Sequence, residues 1–256
     1  MDVRSYNREA WNREVEGGKN RWSQPVTSEV VARARQGEFS VLLTENIPVP
    51  KKWFPPLKGA DVLCLASGGG QQGPVLAAAG ANVTVFDNSP AQLKQDRLVG
   101  ERESLSLRTV EGDAANLSIF GDESFDLIFN PVSTVFMPDV RPVWKECFRV
   151  LRNGGILMTG FMNPVHYIFD LYKMDEGKLE VSHPIPYSDL TSLPKEDLDE
   201  LIQKGLPVEF GHSLTDLLGG QCDAGFVITA MYEDYMLDSP LHNFHPNYLA
   251  TRAAKP

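Results

Sequence analysis

Val62-Leu63-Cys64-Leu65-Ala66-Ser67-Gly68-Gly69-Gly70-Gln71-Gln72-Gly73, with Asp87 beyond it, is the stretch that decides the fold. Four apolar residues lead into a glycine cluster, an Ala-rich segment follows, and a second apolar run, Asn82-Val83-Thr84-Val85-Phe86, ends on the acid. Short apolar runs bounded by glycine read as buried strands, and the Ala-rich segment between them as a helix. The order is therefore strand (about Asp61–Leu65), tight turn, helix (about Gln72–Ala79, stopped by Gly80) and strand, with a carboxylate at the second strand's tip. Such a unit suits a ligand built on adenosine. Glycines let the backbone approach it, the helix start presents unpaired N–H groups, and a carboxylate accepts from both ribose hydroxyls.

As a string, Gly68-x-Gly70-x-x-Gly73 also fits the dinucleotide fingerprint, so the loop by itself leaves NAD(P)-dependent oxidoreductase chemistry open. The later segments discriminate. A third strand (about Leu107–Val110) is followed by Glu111-Gly112-Asp113-Ala114, and Ser124–Asn130 reads as a fourth strand. A helix over about Asp139–Leu151 carries Val143, Trp144, Cys147 and Phe148 at helical spacing, as core residues. Arg149-Val150-Leu151-Arg152-Asn153-Gly154-Gly155 then turns into a fifth strand, Ile156–Phe161.

This series resembles the class I S-adenosylmethionine-dependent methyltransferases, closely over about residues 55–162. It continues less closely through Ala224-Gly225-Phe226 to the segment Pro246–Lys255. The resemblance implies a Rossmann-like α/β three-layer sandwich. Its seven-stranded sheet is mostly parallel, with the last strand antiparallel beside the fifth. It implies S-adenosyl-L-methionine as cofactor, held by the loop residues Ala66, Ser67, Gly68, Gly69, Gly70, Gln71 and Gln72. Asp87 and Asn88 would meet the ribose, Gly112, Asp113 and Ala114 the adenine edge, and Asn130 the region of the donated methyl. An oxidoreductase leaves the Gly112-Asp113 and Arg149–Gly155 runs unexplained, and no Tyr-x-x-x-Lys pair is present. A non-catalytic protein that only binds S-adenosylmethionine shares every one of these features.

Two positions depart from the family pattern. Cys64 stands where an acid is usual, and Ala66 where glycine is usual. The acid normally helps hold the methionine end. Gln71 and Gln72 are candidate replacements, because an amide both donates and accepts. The alternative is that one caps the following helix and the other is solvated.

The chain of 256 residues, 42% hydrophobic, suits one α/β domain with decorations. A net charge of -10 supplies no basic surplus for a nucleic-acid partner. Three widely spaced cysteines without a Cys-x-x-Cys pair fit a reducing, cytoplasmic setting. Met1–Ser5 has no apolar core of a secretion signal, and Gly-Gln-Gln-Gly-Pro interrupts the uncharged stretch Val62–Phe86, so no membrane span is expected. The expected partner is a small-molecule methyl acceptor. Neither composition nor motif specifies an oligomeric state.

Residues 1–55 are expected to form an N-terminal helical lid ahead of a methyltransferase domain, 56–256. Helices are expected over Tyr6–Glu16 and from a Thr27 cap through Gln36. Tyr6, Trp11 and Trp22 either border the ligands or pack the lid down. Ser89 and Pro90 open a helix over Ala91–Glu103. An insertion, 163–206, is expected to roof the acceptor site. Within it, Pro164–Tyr172 reads as helical, Lys178–His183 as the start of a hairpin, and Pro184–Tyr187 as extended, with a helix from Pro194 to Lys204. Val208–Gly211 reads as a sixth strand, Ser213 caps a helix to Cys222, and Phe226–Tyr232 reads as a seventh strand.

Methyl transfer is an in-line displacement for which positioning supplies most of the rate, so no motif fixes the acceptor half. All five histidines (His166, His183, His212, His242, His245) lie beyond residue 160. His166 and Tyr167, just after the fifth strand, and Asn130 are the catalytic candidates. A structural hydrogen-bonding role is the alternative for each. His242-x-x-His245 has no third ligand nearby and Pro246 follows, so no metal is expected.

Overall fold

A computed structural model describes residues 1–256. Helices α1 (Val3–Gly17) and α2 (Ser28–Arg35) precede strand β1 (Asp61–Leu65). Then follow α3 (Gln72–Ala78), β2 (Asn82–Asp87), α4 (Pro90–Glu103), β3 (Leu107–Glu111), β4 (Phe125–Asn130), α5 (Arg141–Val150) and β5 (Leu151–Met162). The remainder comprises α6 (Leu171–Asp175), β6 (Tyr187–Ser188), α7 (Asp189–Ser192), α8 (Lys195–Lys204), β7 (Phe210–Gly211), a π-helical turn running into α9 (Gly220–Asp223), β8 (Val227–Asp234) and β9 (Tyr248–Ala254).

One seven-stranded sheet has the order β3-β2-β1-β4-β5-β9-β8. β1 to β5 pair in parallel, and β9 runs antiparallel to both β5 and β8. Alternation along β1 shows why both faces are covered. Val62 and Cys64 join a 23-residue apolar cluster with α2, α3 and α4, while Leu63 and Leu65 join a 20-residue cluster with α5. A strand buried on both faces reads as a continuous apolar run, as this one does. The cap residues also act as read: Thr27 accepts from Val30 N–H and Ser89 from Gln92 N–H.

Several sequence readings need correction. Val208–Gly211 is not a strand of the seven-stranded sheet: two of its residues pair with Tyr187–Ser188 in a separate two-stranded sheet. The sixth sheet strand is β8, whose alternating exposure marks an edge, and the inserted antiparallel strand is the segment 248–254. That strand is sandwiched between neighbours, so its small residues Ala250 and Ala253 are fully buried without needing β-branched bulk. In the insertion, Pro164–Ile168 is a 3-10 turn rather than a continuous helix to Tyr172, and a single bridge, Phe169 to Val181, stands where a hairpin was expected.

Arg149 explains the Arg-Val-Leu run. Its guanidinium donates to the carbonyls of Phe120 and Leu117 and to Glu146 and Asp122, pinning the loop that leads from β3 to β4. No helix is long and apolar enough to cross a membrane.

Candidate active site

The turn after β1 carries the departure at Ala66 into the backbone. Ala66 has φ +46°, a left-handed conformation that favours glycine, at a cost of about 1 kcal/mol for a residue with a Cβ. Ala66 N–H donates to Phe86 O, and Gly68 N–H donates to Asp87 Oδ2 at 2.9 Å. Ser89 N–H holds the other oxygen of Asp87 at 2.9 Å. Burial pushes the Asp87 carboxyl up, while these N–H groups pull it down. Each oxygen keeps a free lone pair.

Gly69 and Gly70 do not border the cavity, contrary to the sequence reading. A Cβ on Gly69 would collide with the Trp22 carbonyl, and Gly70 O accepts from Val26 N–H. These two glycines let the strap after α1 lie against the loop. Gln71 and Gln72 border the cavity, but their amides already have lid partners. Gln71 Nε2 donates to Arg21 O and Gln24 O, and Gln72 Oε1 accepts from Leu42 N–H.

A carboxylate does lie under the loop, from an unexpected element. Asp96 on α4 accepts from Gly69 N–H through Oδ2 at 3.0 Å. Burial pushes the Asp96 carboxyl up to about 8. Its Oδ1 and Gln92 Oε1, one helical turn earlier, are both buried without partners.

A cavity of about 480 Å³ opens over the tips of β1, β2 and β3 and runs toward β5. Of the residues expected to bind or react, it is lined by Ala66, Ser67, Gly68, Gln71, Gln72, Asp87, Asn88, Gly112, Asp113, Ala114, His166 and Tyr167. Asn130 is absent from the lining. It is fully buried beneath, donating to Leu65 O and Ser133 Oγ and accepting from Thr159 Oγ1, so it brackets β1, β4 and β5. Its successors Pro131, Val132 and Ser133 reach the cavity instead. At Gly112 any side chain would strike the Phe86 ring, which keeps this edge flat.

Helix α1 closes the cavity from above. Arg4 and Asn88 exchange hydrogen bonds, Arg4 lies 3.9 Å from Asp113, and Asn12 Oδ1 accepts from Ser89 Oγ and Ala91 N–H. Buried Asn7 donates to Phe136 O and Val208 O and accepts from Val208 N–H. Trp11 packs edge-on against Phe136, and Trp11 and Trp22 both line the cavity. Tyr6 does not; its hydroxyl donates to Leu206 O.

The end nearer β5 is walled by Phe136, Met162, Met236 and Tyr248, with His166, Tyr167, Glu45 and Glu209 among them. From the insertion 163–206 only His166 and Tyr167 reach the wall. Burial lowers His166 to about 4, so its ring is neutral. His183 packs against Tyr187, His212 meets Thr134 O, and His242 and His245 meet backbone carbonyls through Nδ1. No cluster of three metal-ligating side chains occurs. Sequence reasoning missed Asp96 and Glu209. Nothing in α4 or in the 208–211 segment distinguishes either from a solvated acid.

Comparison with known proteins gives the family. Residues 63–159 match the methyltransferase domain family. An uncharacterized methyltransferase of Bacillus subtilis, YbaJ, is 51% identical over 254 residues, covering 98% of each chain. The sterol 24-C-methyltransferase of Aspergillus fumigatus is 37% identical over 102 residues, 39% of this chain and 27% of that protein. Among solved structures, an S-adenosylmethionine-dependent methyltransferase of Mesorhizobium loti superposes with a TM-score of 0.61 at 18% identity, over 80% of this chain and 94% of that one. The oxidoreductase alternative falls with these matches. The cavity fits the cofactor of the family: acceptor lone pairs on Asp87, a flat edge at Gly112, and partnerless polar atoms, Ser67 Oγ and Gln92 Oε1, on residues that line it. The chain belongs to the class I methyltransferases, whose cofactor is S-adenosylmethionine.

Proposed function

We propose that the protein methylates a small molecule held at the β5 end of the cavity, with S-adenosylmethionine at the β1–β3 end. The observation that carries this reading is the cavity of about 480 Å³ beneath α1, polar at one end and largely apolar at the other. That volume supports a cofactor together with a compact acceptor. When bound, the cofactor supplies an electrophilic methyl on a sulfonium. The protein's part is to hold ribose at Asp87 and Asn88 and adenine between Gly112 and Asp113. Its loop residues Ala66–Gly68 with Gln71 and Gln72 border the methionine end, and α1 excludes water. Residues 1–55 act as the lid, and His166 and Tyr167 face the acceptor. The net charge of -10 supports an acceptor other than nucleic acid, and three free cysteines suit the cytoplasm.

The test is ligand stabilisation. S-adenosylhomocysteine at about 100 times its Kd stabilises the fold by about 2.7 kcal/mol, which for this length raises Tm by roughly 5–10 °C. No shift with either methionine nucleoside, alongside a shift with NADH, would refute the reading.

A further inference from the structure

Glu209 borders the cavity near its apolar wall and makes no ion pair. Its Oε2 accepts from Tyr167 Oη–H at 2.6 Å, and its Oε1 has no protein partner while the residue borders the cavity. The groups nearest to it are carboxylate and tyrosine side chains, with the His183 imidazole farther out against Tyr187, where it favours the ionised form of Asp189. Asp189 takes the Glu209 backbone N–H at 2.6 Å and is bonded in turn to the Tyr187 hydroxyl; Tyr187 stacks on Tyr167. His166 lies edge-on to Tyr167 at 5.1 Å, and Tyr248 packs in the same apolar cluster. Glu45, the other glutamate in the wall, is already paired with Arg21 at 2.6 Å and Tyr248 at 3.0 Å. An ionised carboxylate accepts hydrogen bonds only, and one buried without a counter-charge is costly. What completes this one must bring a proton or a positive charge.

We infer that Glu209 is the proton acceptor for methyl transfer, and that the substrate is an apolar-bodied molecule, free of anionic groups, whose reacting atom is an amine nitrogen or a hydroxyl oxygen. The inference rests on the methyltransferase reading above. The acceptor's heteroatom forms its bond to the methyl carbon as the carbon–sulfur bond breaks with its electron pair on sulfur. The heteroatom's proton passes to Glu209 Oε1, which leaves methylated product, S-adenosylhomocysteine and a neutral carboxyl. Tyr167 is the positioning residue: its donated hydrogen bond fixes Oε2 and so turns Oε1 toward the substrate. Burial pushes the Glu209 carboxyl up to about 7, suited to taking a proton near neutrality. His166, neutral and lowered to about 4, is a poorer base. The acidic neighbours disfavour a carboxylate or phosphate on the substrate.

The experiment uses the full chain saturated with S-adenosylhomocysteine and three probes sharing one ring: benzylamine, phenol and benzoate. Calorimetry at several pH values from about 6 to about 8 follows the carboxyl's titration. Benzylamine or phenol is expected to bind more tightly at the higher pH, and benzoate not at all; the tighter of the two tells amine from hydroxyl. Glu209→Gln should weaken that probe about tenfold or more at the higher pH and abolish the pH dependence, with S-adenosylhomocysteine affinity unchanged. Tyr167→Phe removes a bond to the ionised form, so the midpoint of the pH dependence should move upward, which lost packing alone would not cause. Equal binding of benzoate, no binding by any probe at millimolar concentration, or a pH rise that survives in Glu209→Gln overturns the assignment. Failure of the wild type to bind S-adenosylhomocysteine would instead overturn the methyltransferase reading.

Discussion

The two ends of the cavity are built in opposite ways. The end proposed for the cofactor is lined by residues of three short stretches, 66–68 with 71–72, 86–88 and 112–115, each leaving the carboxyl end of a neighbouring parallel strand. The end proposed for the acceptor is assembled from Glu45, 131–133, 135–137, Met162, His166, Tyr167, Glu209, Met236 and Tyr248, drawn from nearly the whole length of the chain. The first is a local construction in which sequence spacing is spatial spacing. The second exists only after the lid, the small β6–β7 sheet and the strand β9 have docked. Chemistry common to a family can sit in the first kind of site, and chemistry particular to one substrate can vary in the second without disturbing the sheet.

The largest expected effect breaks the local end alone. Asp87→Ala should weaken S-adenosylhomocysteine binding by about 1.5–3 kcal/mol, roughly 10- to 150-fold, by calorimetry. Unchanged affinity would mean that Asp87 serves only its bonds to Gly68 and Ser89.

Next is the seam between the halves. Gly69→Ala puts a Cβ into the Trp22 carbonyl at a positive φ, so the strap must lift, and unfolding free energy should fall by about 1–3 kcal/mol. Limited proteolysis should cut the variant near Trp22 sooner than wild type. Equal cutting would show that the strap does not depend on this glycine.

A pH experiment then separates the carboxylate under the loop from the one in the acceptor wall. The folded pKa of Asp96 lies above its unfolded value, so its contribution is complete below about pH 4. It is lost as pH rises through about 8, at most about 1.4 kcal/mol per pH unit for one proton. Asp96→Asn keeps an acceptor for Gly69 and removes the titration. Its chemical-denaturation midpoint should be flatter with pH and exceed the wild type's above pH 8. An unchanged pH profile would remove Asp96 from the account.

The smallest effect is at the lid's rim. Arg4 and Asp113 are exposed, and such a pair contributes about 0–1 kcal/mol. Arg4→Ala should leave Tm nearly unchanged while quickening S-adenosylhomocysteine release a few fold in stopped flow.

The same contrast explains what was legible in the sequence. β1 through β4 were read to within a residue or two because apolar runs stop at glycine, serine or acid. Asp87, Gly112 and Asp113 were found at the cavity because strand ends place them there. Gly69 and Gly70 sit in the same motif yet face the strap. A glycine's spacing does not tell what approaches it. Asp96 was invisible because its burial depends on the loop folding back onto α4. Glu209 depends on Tyr167, 42 residues earlier, and on the pairing of β7 with β6. β9 was not read as a strand because its small residues lack a strand's usual bulk, and only the neighbours on both sides account for it.

Asn7 carries one further consequence. A single side chain on α1 holds Val208 by two hydrogen bonds and Phe136 by a third, so the helix that covers the cofactor also seats the residue before the acceptor-side carboxylate. If α1 lifts to admit the cofactor, those bonds break, and the far wall is complete again only when the helix returns. We expect a compulsory order of addition: cofactor first, methyl acceptor second, and S-adenosylhomocysteine the last to depart. Steady-state product inhibition reports it. S-adenosylhomocysteine should compete with S-adenosylmethionine and not with the acceptor, and Asn7→Ala should relax that order toward random addition.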